Sequence, residues 1–100
     1  MKLSRQIVEH HKAQFGNVPF PLLMLKLTEE VGEVASDIYR HEATFDEHHL
    51  DRAVNEIGDV LTVLTVLASY CGADIETIYK RAAERFTARE FEPLSIDSPP

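Results

Sequence analysis

One hundred residues carry seventeen Asp and Glu against ten Lys and Arg, for a formal charge of −7, with 44% hydrophobic residues and one cysteine. That length fits one small domain and excludes a second, and the lack of any basic block excludes a nucleic-acid polymer as partner, because a phosphate backbone needs a cationic face. Anything polyphosphorylated must therefore arrive with a metal, and the lone Cys71 in an apolar run reads as a packed small hydrophobe in a reducing, cytoplasmic compartment.

The opening Met1-Lys2-Leu3-Ser4-Arg5-Gln6 lacks the apolar core that a secretory signal requires. Ser4 is the expected cap of a first amphipathic helix, with Leu3, Ile7, Val8, His11 and Phe15 at helical spacing and Gly16-Asn17 closing it. Pro19-Phe20-Pro21 imposes an extended approach and then a proline in the first turn, which opens a second helix to about Arg40. His41 to Asp46 is the expected connection. A third helix runs from about Glu47 to Tyr70 and stops at Cys71-Gly72, and Asp74 caps a fourth that fades near Arg89. Residues 92–100 read as a loose tail, leaving a domain over residues 1–91.

No stretch alternates at period two as a strand would, so the expected class is all-α, a bundle of about four helices. A chain this small buries a modest fraction of its surface, and completion by homo-oligomerisation is expected. The greasiest stretch, Val60–Ala68, is nine residues long, less than half of what a bilayer crossing needs. It predicts a buried helix and no membrane partner. Val63 and Val66 fall on flanks that one chain would struggle to cover, so this helix is expected to pack against another subunit through them.

Glu30-Val31-Gly32-Glu33-Val34 is echoed by Glu56-Ile57-Gly58-Asp59-Val60. A glycine inside a helix costs roughly 1 kcal/mol relative to alanine, so two in equivalent places predict a close approach to the backbone there. At about 100° per residue, Glu29, Glu30, Glu33 and Asp37 share about one quarter of the second helix, and only Lys26 answers them. Leu23, Met24, Leu27, Val31, Val34 and Ile38 fill the neighbouring arc, which sets Glu30 on the boundary between acid and core. On the third helix Ala53, Ile57, Leu61 and Leu64 form the apolar stripe, with Glu56 and Asp59 at its edge.

Like charges three or four apart repel, by more as water is excluded. Either these are solvated acidic faces, or facing helices gather Glu30, Glu33, Glu56 and Asp59 around Mg²⁺ or Mn²⁺, hard cations suited to carboxylate oxygen. A di-iron bundle site would need Glu-x-x-His, which is absent. His10-His11 and His48-His49 are adjacent pairs, which diverge on a helix and read as surface or edge residues, with Asp46-x-x-His49 a weak exception. No P-loop, dinucleotide fingerprint, nucleophile elbow or CxxC pair is present.

Lys26-Leu27-Thr28-Glu29-Glu30-Val31-Gly32-Glu33, followed after 22 residues by Glu56-Ile57-Gly58-Asp59, resembles the EExxE and ExxD signature of MazG-like nucleotide pyrophosphohydrolases over residues from about 20 to 90. The resemblance implies an all-α fold, association as homodimers or homotetramers, and Mg²⁺-dependent hydrolysis of nucleoside triphosphates to monophosphate and pyrophosphate in nucleotide-pool housekeeping. By position it makes Glu30, Glu33, Glu56 and Asp59 metal ligands and Glu29 a further catalytic acid that holds a second metal or orients water. Lys80, Arg81 and Arg85 on the last helix are candidates for meeting phosphates, or a solvated face paired with nearby glutamates; Lys26 either pairs with Glu30 or touches phosphate. Phe15, Phe20, Leu22 and the first helix are possible walls for the base. The phosphoribosyl-ATP pyrophosphatase branch shares the chemistry. The alternative from another class is a non-catalytic helical module that binds metal or nucleotide, or only oligomerises.

Overall fold

The computed structural model describes residues 2–44 and 48–88, and within them the only regular secondary structure is helical: α1 (Leu3–Phe15), α2 (Phe20–Thr44), α3 (His48–Tyr70) and α4 (Ile75–Ala88). The expected tail from residue 92, the Asp46 of the Asp46-x-x-His49 spacing and the end of the last helix at Arg89 lie outside the described residues. α2 and α3 form a long antiparallel pair, α1 packs on α3, and α4 leaves from the C-terminal end of α3.

The boundaries follow from local chemistry, with two corrections. Lys2, not Ser4, is the N-cap of α1, and no side chain caps that helix; Ser4 lies inside the first turn and is buried. Its position one turn before Val8 puts it on the face turned to α3. Gly16 then ends α1 at φ 69 and ψ −150, a region open essentially to glycine alone. The Pro19 carbonyl accepts from Leu23 N–H at 3.2 Å, so α2 opens with Pro21 in its first turn. α2 runs to Thr44, beyond the expected Arg40, because His41-Glu42-Ala43 contains no breaker.

α3 ends in a Schellman motif. Ala73 N–H donates to Ala68 O and Gly72 N–H to Ser69 O, both at 3.0 Å, with Gly72 at φ 75. Asp74 caps α4 as expected: its Oδ1 accepts from Thr77 N–H at 2.8 Å, and this bond holds the Asp74 carboxyl below its usual range. Cys71 is exposed, not packed, because it sits past the last turn of α3.

Leu23, Ala53, Val63, Val66 and Ala68 form the buried apolar core, and Val66 is 1% exposed. Of the expected apolar stripe on α3, Ala53 is buried but Ile57, Leu61 and Leu64 are open together with Val54, while Val63 and Val66, expected to need a second subunit, are covered within one chain. α1 and α2 pack on the Val63/Val66 side of α3 and leave the other stripe uncovered. On α2 likewise Leu23 is buried, whereas Met24, Val31 and Ile38 are exposed. At about 100° per residue, Phe20, Met24, Val31 and Ile38 lie within about 40° of each other, and Leu50, Val54, Ile57, Leu61 and Leu64 within about 80°. Both stripes are displaced in the same rotational sense from the α2/α3 contact, which in an antiparallel pair places them on one flank of the hairpin.

Gly32 and Gly58 meet no close neighbour: a Cβ built on either has nothing within 4 Å. The close approach expected from the sequence does not occur among the described residues. α3 is long and apolar enough in composition to cross a membrane, yet it carries Asp51, Arg52, Glu56 and Asp59 and lies along α2.

Candidate metal and nucleotide site

The α2/α3 register sets the site. Glu30 and Glu33, one turn apart on α2, meet Glu56 of α3, and one carboxylate oxygen from each lies within 4.8 Å of the others. Glu30 is only 6% exposed, which agrees with its place on the boundary between acid and core. Oε2 of Glu30 and Oε2 of Glu56 are both buried without a hydrogen-bond partner. Two orphaned carboxylate oxygens on facing helices are costly unless a proton or a cation satisfies them.

The electrostatics show the strain. Glu56 is pushed up to about 7 from an ordinary 4.5, first by hydrogen bonding of its protonated form to Glu33, then by desolvation, and then by the charges of Glu33 and Asp59. Lys26 Nζ stands 3.0 Å from Glu30 Oε1 and 3.7 Å from Glu29 Oε1, and these acids raise its pKa. Lys26 therefore pairs with Glu30, and the residue also lines the adjacent cavity.

Glu56 sets the sign of a pH effect. Because its carboxyl holds a proton up to about 7 in the fold but only to about 4.5 when unfolded, the folded state binds more protons between those values. Stability of the metal-free protein is therefore expected to fall as pH rises from about 4.5 to about 7 and then to level. Thermal melts in chelator at pH 5 and pH 7.5 check this, and a higher melting temperature at pH 7.5 overturns it.

Asp59 does not belong to the three-carboxylate group; it lines the cavity next to it with Glu30 and Lys26. Glu29 is exposed and bonded to Lys26. Asp37, expected to share the acidic face, is buried and answered from α3 by Arg52, whose Nε is 3.5 Å from Asp37 Oδ1, with His49 at 3.9 Å. Lys26 is thus not the only counter-charge on that face. The adjacent cavity, about 540 Å³, is walled by His11 and Phe15 of α1, Val18, Leu22 and Leu23, and Thr62, Val63 and Val66 of α3. Two of the expected base walls, Phe15 and Leu22, line it; Phe20 instead meets Tyr70 edge to face. Lys80, Arg81 and Arg85 are exposed on α4 and neither line this cavity nor join the carboxylates. Sequence reasoning missed Arg52, Thr62 and Tyr70, whose roles come from inter-helix register; only the position of Arg52 four residues before Glu56 hinted at its place on that face.

A family profile described as the MazG nucleotide pyrophosphohydrolase domain matches residues 20–91. The uncharacterized protein YpjD of Bacillus subtilis (strain 168) is 35% identical over 98 aligned residues, covering 90% of this chain and 86% of the relative. No solved structure gave a significant match. The matched stretch holds both acidic motifs, the helices that carry them and the turn into α4, and by this match the chain belongs to the MazG nucleotide pyrophosphohydrolase domain family.

Proposed function

We propose that the chain is a Mg²⁺-dependent nucleoside triphosphate pyrophosphohydrolase, one helical domain over residues 1–91 that acts as a cytoplasmic homodimer or homotetramer. It cleaves the α–β anhydride of ribo- or deoxynucleotides, giving monophosphate and pyrophosphate in nucleotide-pool control. The observation that carries the reading is the pair of buried, unsatisfied oxygens on Glu30 and Glu56, beside an apolar cavity of nucleoside size.

The donor set fits a hard divalent cation, with Mn²⁺ as a substitute. Glu30, Glu33 and Glu56 would hold it, with Asp59 completing the set. Such an ion, when bound, supplies neutralisation of phosphate oxygens and acidifies water. The remaining work falls to the chain's own groups. Glu29, exposed and one residue from the buried Glu30, orients water or holds a second ion. Lys26 sits between the acids and the cavity, where its ammonium can exchange Glu30 for a phosphate oxygen. His11, Phe15 and Leu22 exclude water from the nucleoside half. Lys80, Arg81 and Arg85 reach phosphate only by way of a second chain. The open flank of Val54, Ile57 and Leu61 on α3 with Val31 and Ile38 on α2 is the surface for that chain.

A panel of ribo- and deoxynucleoside triphosphates, assayed for pyrophosphate release with Mg²⁺ and with chelator, tests the proposal. Mg²⁺-dependent release matched by monophosphate is expected. A folded protein that releases no pyrophosphate from any of them overturns it.

A further inference from the structure

The cavity beside the carboxylates has walls from three helices, and the wall supplied by α1 is tethered at a point that the chemistry above does not use. Val18, in the linker between α1 and α2, donates its backbone N–H to the Tyr70 hydroxyl at 2.6 Å, across 52 residues of sequence. The Tyr70 ring meets Phe20 edge to face, with centroids 5.4 Å apart and planes at 83°. One side chain at the end of α3 thus holds both the linker and the first residue of α2. Val18 itself lines the cavity with His11 and Phe15, whose rings are 5.0 Å apart. Pro19, next in the chain, has no N–H to offer, so the linker's grip at this point falls to Val18.

We infer that Tyr70 is a positioning residue that sets the width of the nucleoside pocket by fixing the α1–α2 linker; this rests on the hydrolase reading. The carboxylates are carried by α2 and α3, whose mutual packing does not use this bond. The distance from the α1 wall to Leu22 and Lys26 does depend on it. Losing the bond therefore weakens the hold on the nucleoside equally in the ground and transition states and leaves the hydrolytic step alone. Such uniform loss raises KM and spares kcat.

Tyr70→Phe keeps the ring contact and removes only the oxygen. With Mg²⁺ and a nucleoside triphosphate, KM is expected to rise about tenfold, the size of one lost hydrogen bond, with kcat within about twofold of wild type. Inhibition by inorganic tripolyphosphate, which has no nucleoside, should stay unchanged. An unaltered KM, or a fall in kcat at constant KM, overturns the inference. Hydrogen exchange on the wild-type protein keeps the test open if the variant does not fold. A non-hydrolysable nucleotide analogue with Mg²⁺ should protect amides of residues 11–18, and protection confined to α2 and α3 counts against the role. If the wild-type protein neither hydrolyses nor binds any nucleotide, it is the hydrolase reading that fails.

Discussion

Glu33→Ala and Asp59→Ala should each lower pyrophosphate release by about a hundredfold or more, since each removes a proposed ligand or a flanking charge from an electrostatic site, while at pH 7.5 and above the metal-free protein keeps or raises its melting temperature. The second half of that expectation is the discriminating one. An ordinary buried ion pair loses stability when one partner goes. Glu56 in its protonated form hydrogen-bonds Glu33, but above about pH 7, where it is ionised, that bond is gone and the charges of Glu33 and Asp59 oppose it, so deletion there relieves the fold. Glu56→Gln adds an internal check: a neutral isostere of the protonated acid should flatten the pH dependence of stability between pH 5 and pH 7.5 and abolish stabilisation by Mg²⁺. Unfolding of Glu33→Ala or Asp59→Ala, with activity lost only in proportion, would assign these acids a structural role instead.

The second large effect concerns the open flank. Ile57 and Leu61 are each 53% exposed, on the stripe shared with Val54 and Leu64. Full burial of such a side chain stabilises an association by about 1.5–3 kcal/mol, and a carboxylate in its place opposes association outright. Ile57→Glu combined with Leu61→Glu is expected to weaken self-association by about a thousandfold or more, giving a helical monomer in sedimentation where the wild type is expected to run as a dimer or larger. Val63→Glu is the contrasting variant. Val63 is buried within one chain, so that change should unfold the monomer. A wild-type protein that sediments as a monomer at tens of micromolar would remove the flank from consideration as an interface.

Much of this was legible along the chain. Helix number and type came from periodicity and from local punctuation: Pro19-Phe20-Pro21, the Gly72 stop and the Asp74 cap are all set by neighbours within five residues. The acidic cluster was readable for the same reason, since Glu30 and Glu33 share a helix face by spacing alone, and the echo at Glu56 gave its partner. What periodicity could not decide was which of two apolar stripes on α3 faces inward. Val63 and Val66 compete with Ile57 and Leu61 at equal hydrophobicity, and the choice is made by where α1 docks, a contact between residues more than fifty positions apart. The same limit hid the Asp37–Arg52 pair and the bond from Val18 to Tyr70. Ser4 misled because a capping residue type and a core-facing position coincided, and packing against α3 won over capping. Gly32 and Gly58 misled in another way: their cost in a helix is real, but the space over both is open within one chain.

α4 carries a consequence of its own. It has fourteen residues, none of them fully buried, and isolated helices of that length sit near the coil transition in water. Its order therefore leans on the Asp74 cap and on its short contact with α3, so amide hydrogen exchange is expected to be faster in this segment than in the α2/α3 hairpin.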